Sequence, residues 1–526
     1  MALSYNITEP GRKAPLAAGG AAIVSGAMMA LAFPDFNAWP LMWAAMVPLF
    51  MALRGKSPLH GALIGFLAGV VFYGVTLRWI INTITVYGHL PLYAAIPVQV
   101  MITMAAAFYT SLFGYLFSVV ESRSSEDYAF AAAPFIWVAQ EFFRSNFFDL
   151  AFPWAKLAQS QAPFLTMIQM ADITGEDGLT FLIVTVNIAL ARILVCATEQ
   201  PRGGKAGFPV RWAGAATLMF AGALAYGVVK LNAPEPAGEP VRVAIIQGNI
   251  DQARKWDRSY IMPQIQIYTG RTIEAARRGA TLVIWPEAAA PFYYGQEPGG
   301  DAIIDNLVKD TGAALIFGAP AYDQGPDSLV EYNRAWVVRP DGFREYYDKL
   351  RLVPFGEYVP MKRALPFIHR VVTAIGDMEP GSTVKALDAG GFKVGLQICY
   401  EVIFPQFSRE IANKGAGALV NITNDSWYGV SPASRQSLAM GVFRAVENRL
   451  PLLRAAQSGV SAIVTPKGEI MAQTPLFVET TLYGSFVPAK SNGTTYSLSG
   501  DIFAWICVMV TFAFAGRHLL ARQGYK

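Results

Sequence analysis

Residues 15–230 form a succession of apolar runs separated by short polar breaks, and that succession limits what the chain can fold into. A helix needs about 20 residues to cross the hydrocarbon core of a bilayer. Seven runs are candidates: 15–33, 39–53, 60–84, 91–120, 128–143, 179–197 and 212–231, of which the second and fifth are short. Arg12 and Lys13 ahead of the first run also suit a signal peptide, but the train of runs behind it points to an uncleaved anchor. Composition agrees: 53% of the 526 residues are hydrophobic and 15% charged, against about 25% charged in soluble domains. A formal net charge of +4, well dispersed, gives no footprint for nucleic acid.

Basic residues set the orientation, because Lys and Arg collect in cytoplasmic loops. With the N-terminus inside, the inner breaks hold Arg12 and Lys13, Arg54 and Lys56, Arg123, then Arg202, Lys205 and Arg211. The outer breaks 34–38 and 86–90 hold none, and the long break 144–178 holds only Arg144 and Lys156. That long break is amphipathic and aromatic, which fits a segment lying at the lipid surface and equally a structural loop with interfacial anchors. Seven crossings leave everything after residue 231 outside. Residues 501–520 supply an eighth span, with Arg517, Arg522 and Lys526 behind it at an inner C-terminus.

A Pro-rich linker, 232–240, separates the bundle from a different pattern. Strand alternation at 241–247 is followed by helical period at 264–278, a buried strand at 281–285, a helix at 301–311 and a strand at 313–319. Residues 331–338 and 343–348 predict a hairpin around Pro340 to Gly342. Further strands are predicted at 416–422, 452–456 and 461–465, with a helix at 433–447. Such alternation over about 250 residues indicates one layered α/β domain. The domains are therefore a bundle at 1–231, an external domain at 232–495, and a last span with its tail at 496–526.

The chain has three cysteines, too few for a disulfide framework, and Cys196 and Cys507 lie in apolar runs. Cys399 ends a strand, KVGLQI, and precedes a helix at 404–414 with Pro405 in its first turn. A strand-to-helix turn exposes a nucleophile, and helix N-terminal amides would lower its pKa. The same stretch also fits a small apolar residue in a buried strand. Of four histidines, His60 and His89 sit at span ends, His518 near the C-terminus, and His369 alone in the domain, so a Cys/His pair is disfavoured. The alternative base is a carboxylate. Glu287 follows the strand TLVIW through WPE, where loss of water would raise its pKa toward neutrality. Lys349 ends EYYDK and offers an ammonium for an oxyanion, and Glu357, eight residues on, offers to hold that lysine or the substrate. Taken singly, Glu287 also reads as an exposed turn residue and Lys349 as a solvated surface lysine. Residues 291–294 (PFYY) and 365–368 (LPFI) are candidate lids dipping into lipid, or loops packed on the bundle, and Trp256 is a candidate for the same entrance.

WPE, then DKLRLVPFGEYVP, then ICYE resemble the glutamate, lysine and cysteine motifs of the nitrilase or carbon-nitrogen hydrolase superfamily. With seven spans before and one after, the chain resembles its membrane-embedded branch, the apolipoprotein N-acyltransferase family, also through QGNIDQARKWD (247–257), VNITNDSWYG (420–429) and the run 444–464. The resemblance implies a four-layer αββα sandwich, with Cys399 as nucleophile, Glu287 as general base and Lys349 as oxyanion stabiliser. It implies supporting roles for Glu357, Tyr400 and Glu401. It also implies transfer of an acyl chain from a glycerophospholipid, through a cysteine thioester, to the α-amino group of an apolipoprotein's diacylglyceryl cysteine. That reaction would run at the bacterial inner membrane, facing the periplasm, with both termini cytoplasmic and with no metal or cofactor. Two rivals remain on residues alone: a membrane-tethered amidase that hands the acyl group to water, and a transporter or sensor whose external domain only binds a ligand.

Overall fold

The computed structural model describes residues 13–88, 90–198, 209–234, 237–252, 254–325, 329–358, 378–490 and 493–520. The N-terminal half is helical: α1 (Lys13–Leu31), α2 (Val47–Leu53), α3 (Pro58–Thr76), α4 (Leu92–Arg123), α5 (Glu126–Asn146), α6 (Glu176–Thr198) and α7 (Val210–Leu231). Among the described residues four helices, α3, α4, α6 and α7, are long and apolar enough to cross a membrane. Shorter apolar helical stretches occupy Leu16–Leu31, Trp39–Leu53 and Ile502–Gly516. The second apolar run is not one helix. It breaks into a 3-10 turn, Trp39–Trp43, and α2, each with a proline in its first turn, Pro40 and Pro48. α3 and α4 pack through small residues: a Cβ on Gly65 or Gly69 would strike Thr110.

The domain that follows is built on two six-stranded sheets. The strands are β1 (Val241–Gln247), β2 (Leu282–Ile284), β3 (Ala314–Gln324), β4 (Leu329–Val338), β5 (Arg344–Asp348), β6 (Ala386–Asp388), β7 (Lys393–Ile398), β8 (Ala418–Thr423), β9 (Leu452–Ala456), β10 (Ala462–Val464), β11 (Ile470–Gln473) and β12 (Thr480–Phe486). One sheet runs β12-β1-β2-β3-β4-β5 and the other β11-β10-β9-β8-β7-β6. The hairpin around Pro340 to Gly342 joins β4 to β5, with Val338 opposite Arg344 and Arg334 opposite Asp348.

Strand alternation explains the layering. Val243 and Ile245 on β1 pack with Leu396, Ile398, Val420 and Ile422 of the other sheet, making an inter-sheet core. Their neighbours Ala244 and Ile246 face the other way, onto α8 (Ile261–Arg277) and α9 (Pro298–Thr311). The second sheet is covered by α10 (Pro405–Asn413) and α11 (Ala433–Asn448), giving the αββα order. Central strand β8 is buried along its whole length, as a parallel strand covered on both faces must be.

The α10–α11 layer is also the docking face. Its Ile411 and Phe443 share one apolar cluster with Phe50, Trp137 and Leu182 of the bundle. Gln436 of α11 stitches three bundle segments, donating to the carbonyls of Pro34 (2.9 Å) and Thr76 (3.2 Å) and accepting from Trp154 Nε1 (2.7 Å). Residues 151–162, in the long break between α5 and α6, are mostly buried in this joint rather than spread on a surface. Arg144 holds them by donating to the carbonyls of Phe152 and Trp154. Chain end α12 (Ile502–Leu520) returns to pack on α5.

Candidate active site

Glu287, Lys349 and Cys399 each stand just past the C-terminal end of a strand, β2, β5 and β7 respectively. β2 and β5 lie in one sheet with β3 and β4 between them and β7 lies in the other, so the packing of the two sheets, not strand adjacency, brings the three residues together. Behind Glu287, β3 carries Gly318, where a Cβ would meet the backbone of Glu287 and Ala288, so only glycine lets the turn close. Ala288 takes a left-handed φ of 48° to finish that turn. Lys349 is fixed from its backbone, its N–H donating to Asn333 O on β4 at 2.9 Å. Cys399 takes φ 54° at the start of a 3-10 turn, Cys399–Ile403. A left-handed non-glycine residue costs about 1–2 kcal/mol, and here Asn421 secures it by donating to the carbonyls of Gln397 and Cys399 at 3.1 and 3.2 Å.

The side chains form one buried network. Lys349 Nζ donates to Glu287 Oε1 at 3.1 Å and to Glu357 Oε1 at 2.7 Å, and the lysine is 1% exposed. Asn333 Nδ2 bridges the same two carboxylates at 2.7 and 3.0 Å. The backbone N–H of Asn424, past the end of β8, donates to Glu287 Oε2 at 2.8 Å, tying the second sheet to the first. Glu357 Oε2 accepts from Val353 N at 2.8 Å, so this carboxylate both holds the lysine and closes its own loop.

Two expected pKa shifts run the other way. Burial pushes Glu287 up, but Lys349, Lys255 and Asn333 outweigh it, and the carboxyl is held below its ordinary value. The cause is the convergence of two ammonium groups on one carboxylate. Cys399 is pushed up to about 12, by burial first and then by the negative charge of Glu287, with Lys349 opposing. Helix α10 does not lower it, because the 3-10 turn separates its N-terminus from the sulfur. The resting pair is therefore a thiol beside an ionised carboxylate, with Lys349 firmly protonated.

Glu401 is a brace between the sheets. It is fully buried, accepting from Leu350 N (2.6 Å), Arg351 N (3.1 Å) and Tyr347 OH (2.9 Å) through Oε1, and from Ile398 N (2.7 Å) through Oε2. The segment after Lys349 is thus pinned to the strand before Cys399. Tyr400 points to the bundle instead, with its hydroxyl donating to Ala151 O at 3.4 Å and its ring edge-on to Phe404. Arg351 Nη2 reaches the same loop at Phe148 O, 2.7 Å away. Tyr428, whose phenol is held neutral by burial and by the nearby negative charge of Cys399 and Asp425, packs against Trp79 and Trp154 of the bundle. The nucleophile turn and its neighbours therefore face the helical bundle and its aromatic side chains.

Sequence reasoning passed over Asn333, Asn421 and Lys255. The last is 1% exposed and donates to the backbone carbonyl of Glu287 at 3.1 Å. Burial lowers its pKa to about 8, against the upward pull of Glu287 and Cys399. Its neighbour in KWD, Trp256, is 53% exposed, with its ring 6.0 Å from Lys255 Nζ. The PFYY stretch is no lid: Phe292 and Tyr294 are buried under α9, and Tyr294 bonds Asp305 of that helix. Residues 365–368 and His369 lie outside the described residues.

A family model described as the apolipoprotein N-acyltransferase N-terminal domain matches residues 25–189, and one described as carbon-nitrogen hydrolase matches residues 242–494. The apolipoprotein N-acyltransferase of Geobacter metallireducens is 40% identical over 490 residues, covering 93% of this chain and 92% of that protein. The protein of the same name from Pseudomonas syringae pv. tomato is 30% identical over 503 residues, with 92% of each covered. Among solved structures, Saccharomyces cerevisiae Nit3, a member of the nitrilase superfamily, is 20% identical with a TM-score of 0.38, over 49% of this chain and 93% of that one. The whole-length relatives carry the assignment: this chain belongs to the apolipoprotein N-acyltransferase family, a membrane-embedded branch of the nitrilase or carbon-nitrogen hydrolase superfamily.

Proposed function

We propose that this chain is an acyltransferase that takes a fatty acyl chain from a glycerophospholipid onto Cys399 as a thioester. It then delivers that chain to the α-amino group of the N-terminal diacylglyceryl-cysteine of apolipoproteins. The observation that carries the reading is the Glu287–Lys349–Glu357 network beside the Cys399 turn, at a strand-end mouth backed by the bundle. The names of the relatives supply the acceptor class.

In the first step Glu287, ionised at neutral pH, takes the proton from Cys399 as Sγ attacks the ester carbonyl. Lys349 and backbone N–H groups near Tyr400 hold the oxyanion. The carbon–oxygen bond then breaks, Glu287 protonates the departing alkoxide, and a lysophospholipid leaves. In the second step Glu287 deprotonates the acceptor ammonium, and the free amine attacks the thioester carbon. The carbon–sulfur bond breaks, and of the two protons lost from nitrogen one returns to sulfur and the other passes through Glu287 to water. Lys255 offsets negative charge as thiolate forms. Glu357 and Asn333 keep Lys349 and Glu287 in register, Glu401 fixes the distance between lysine and cysteine, and Tyr400 joins the nucleophile turn to the bundle.

Eight crossings, seven before the domain and one after, put the catalytic domain on the periplasmic face of the inner membrane, with both termini cytoplasmic. The distribution of Lys and Arg among the breaks supports that arrangement, and with it goes a proposed division of the chain at 1–231, 232–495 and 496–526. The test is a proteoliposome assay with phospholipid and a synthetic diacylglyceryl-cysteinyl peptide. Appearance of N-acyl peptide with stoichiometric lysophospholipid supports the reading; release of free fatty acid with no acylated peptide refutes it in favour of a hydrolase.

A further inference from the structure

Away from the Glu287 network a cavity of about 280 Å³ is lined by Asp172, Tyr226, Lys230, Asn448, Arg449 and Lys490, among others. It lies where the end of α7, the segment before α6 and the end of α11 meet. Its charges do not cancel. Asp172, 3% exposed, accepts from Arg449 Nε and Nη2 at 3.0 and 2.8 Å and from Tyr226 OH at 2.6 Å, and pairs with Lys230 at 3.2 Å. Arg449 is fully engaged, since its Nη1 donates to Gln169 Oε1. One carboxylate thus faces three cations, and Lys490 pairs with no carboxylate among the described residues.

The surplus is not there to neutralise the C-terminus of α7, because Lys467 Nζ already donates to Leu231 O and Ala233 O at 3.0 and 2.8 Å. Asn448 is 1% exposed and donates through Nδ2 to Arg444 O at 2.9 Å, but its Oδ1 has no partner among the described residues. A buried acceptor left unpaired is costly. The surplus of cations over the one carboxylate therefore matches an oxyanion.

Position narrows the source. Lys230 is the penultimate residue of α7, a helix long and apolar enough to cross a membrane and buried over only 11% of its most apolar window. Leu218 and Val229 on that helix are 76% and 68% exposed, and Leu498 beside the cavity rim is 71% exposed. Apolar surface below and ammonium groups above is the profile of a bilayer boundary.

We infer that this cavity binds the headgroup of a membrane phospholipid, with the phosphodiester on Lys230 and Lys490. It is distinct from the donor site at Cys399. α11 runs from Gln436, bonded to Trp154 beside the candidate active site, to Asn448 at the cavity, a rise of roughly 18 Å at 1.5 Å per residue. The bound lipid is a fixed one that seats the catalytic domain on the bundle, not a substrate.

The test is native mass spectrometry of the delipidated full-length protein titrated with phosphatidylethanolamine or phosphatidylglycerol in detergent. Wild type, Lys230→Gln/Lys490→Gln and a control with the same charge loss elsewhere, Lys309→Gln/Lys385→Gln, are compared, with thermal midpoints to show that each is folded. One phospholipid per chain is expected for wild type and control, with affinity about 30-fold weaker in Lys230→Gln/Lys490→Gln, as for two cations lost at a lipid surface. Equal affinity in all three overturns the site. Displacement of the lipid by millimolar inorganic phosphate overturns the headgroup assignment in favour of a soluble anion.

Discussion

Replacing Lys349 by Met keeps the length of the side chain and removes its charge, and the structure sets the size of the effect. Two buried carboxylates lose the ammonium that stands 3.1 Å from one and 2.7 Å from the other. Breaking a buried ion pair by deleting one partner costs about 3–5 kcal/mol, because the other charge is left stranded. With only Asn333 between them, Glu287 and Glu357 cannot both stay ionised, and one takes up a proton. The rate suffers separately, since one lost oxyanion donor is worth roughly 10²–10³ in turnover. Single-turnover acylation with a fluorescent phospholipid should therefore slow by at least about 10³-fold while the half-saturating lipid concentration stays nearly constant. Lys349→Met/Glu357→Gln separates the two effects: removing the second carboxylate should restore much of the lost thermal stability and none of the rate. A single variant that raises the half-saturating concentration with an unchanged maximal rate, or a double variant that recovers activity, refutes the roles given to this lysine.

Lys255→Met should both stabilise and slow the protein. Below pH 8 the buried ammonium is charged in both folded and unfolded chains, and the difference between 10.5 and about 8 burdens the fold by about 3 kcal/mol. Stability should rise between pH 8 and 10.5 in wild type, where only the unfolded chain keeps this proton, and that slope should vanish in the variant by denaturant melts; a persisting slope places the charge elsewhere. Acylation in wild type should also fall as pH rises through about 8, with no such inflection in Lys255→Met. Asn333→Asp adds a third carboxylate beside Glu287 and Glu357, so the acid limb of the acylation profile should move up by about one pH unit, and an unmoved limb counts against the shared bridge. Glu401→Gln turns one of the two accepting oxygens into an NH₂, which in its better orientation faces the Ile398 N–H and leaves that donor unpaired; it should cost about 1–3 kcal/mol, read as a lower thermal midpoint together with slower acylation.

The three strand-end residues were legible because each follows a strand whose pattern is plain in the sequence: TLVIW before Glu287, EYYD before Lys349, VGLQI before Cys399. Asn333 was not, because within β4 it occupies one position of an ordinary alternation, and only the pairing of β4 with β3 and β5 aims it at both carboxylates. The pKa directions failed for a related reason. Burial was foreseeable from the strand ends, but for Glu287 it is outweighed by Lys349 first and then by Lys255, whose place beside this carboxylate appears only when the segment after β1 is folded against it. Phe292 and Tyr294 resembled a lid only while the helix that covers them, α9, was unplaced. Pro40 and Pro48 were visible throughout, and they break the second apolar run in the way proline geometry requires.

The central claim is that the sulfur of Cys399 carries the acyl chain between donor and acceptor. Intact-protein mass measurement after incubation with a phospholipid of defined acyl chains, without acceptor, tests it most directly. The expected result is a mass increase of one acyl chain, mapped to Cys399, released by hydroxylamine and absent from Cys399→Ala. An unmodified Cys399 in a preparation that still acylates acceptor peptide, or an adduct on another residue that Cys399→Ala retains, contradicts the account.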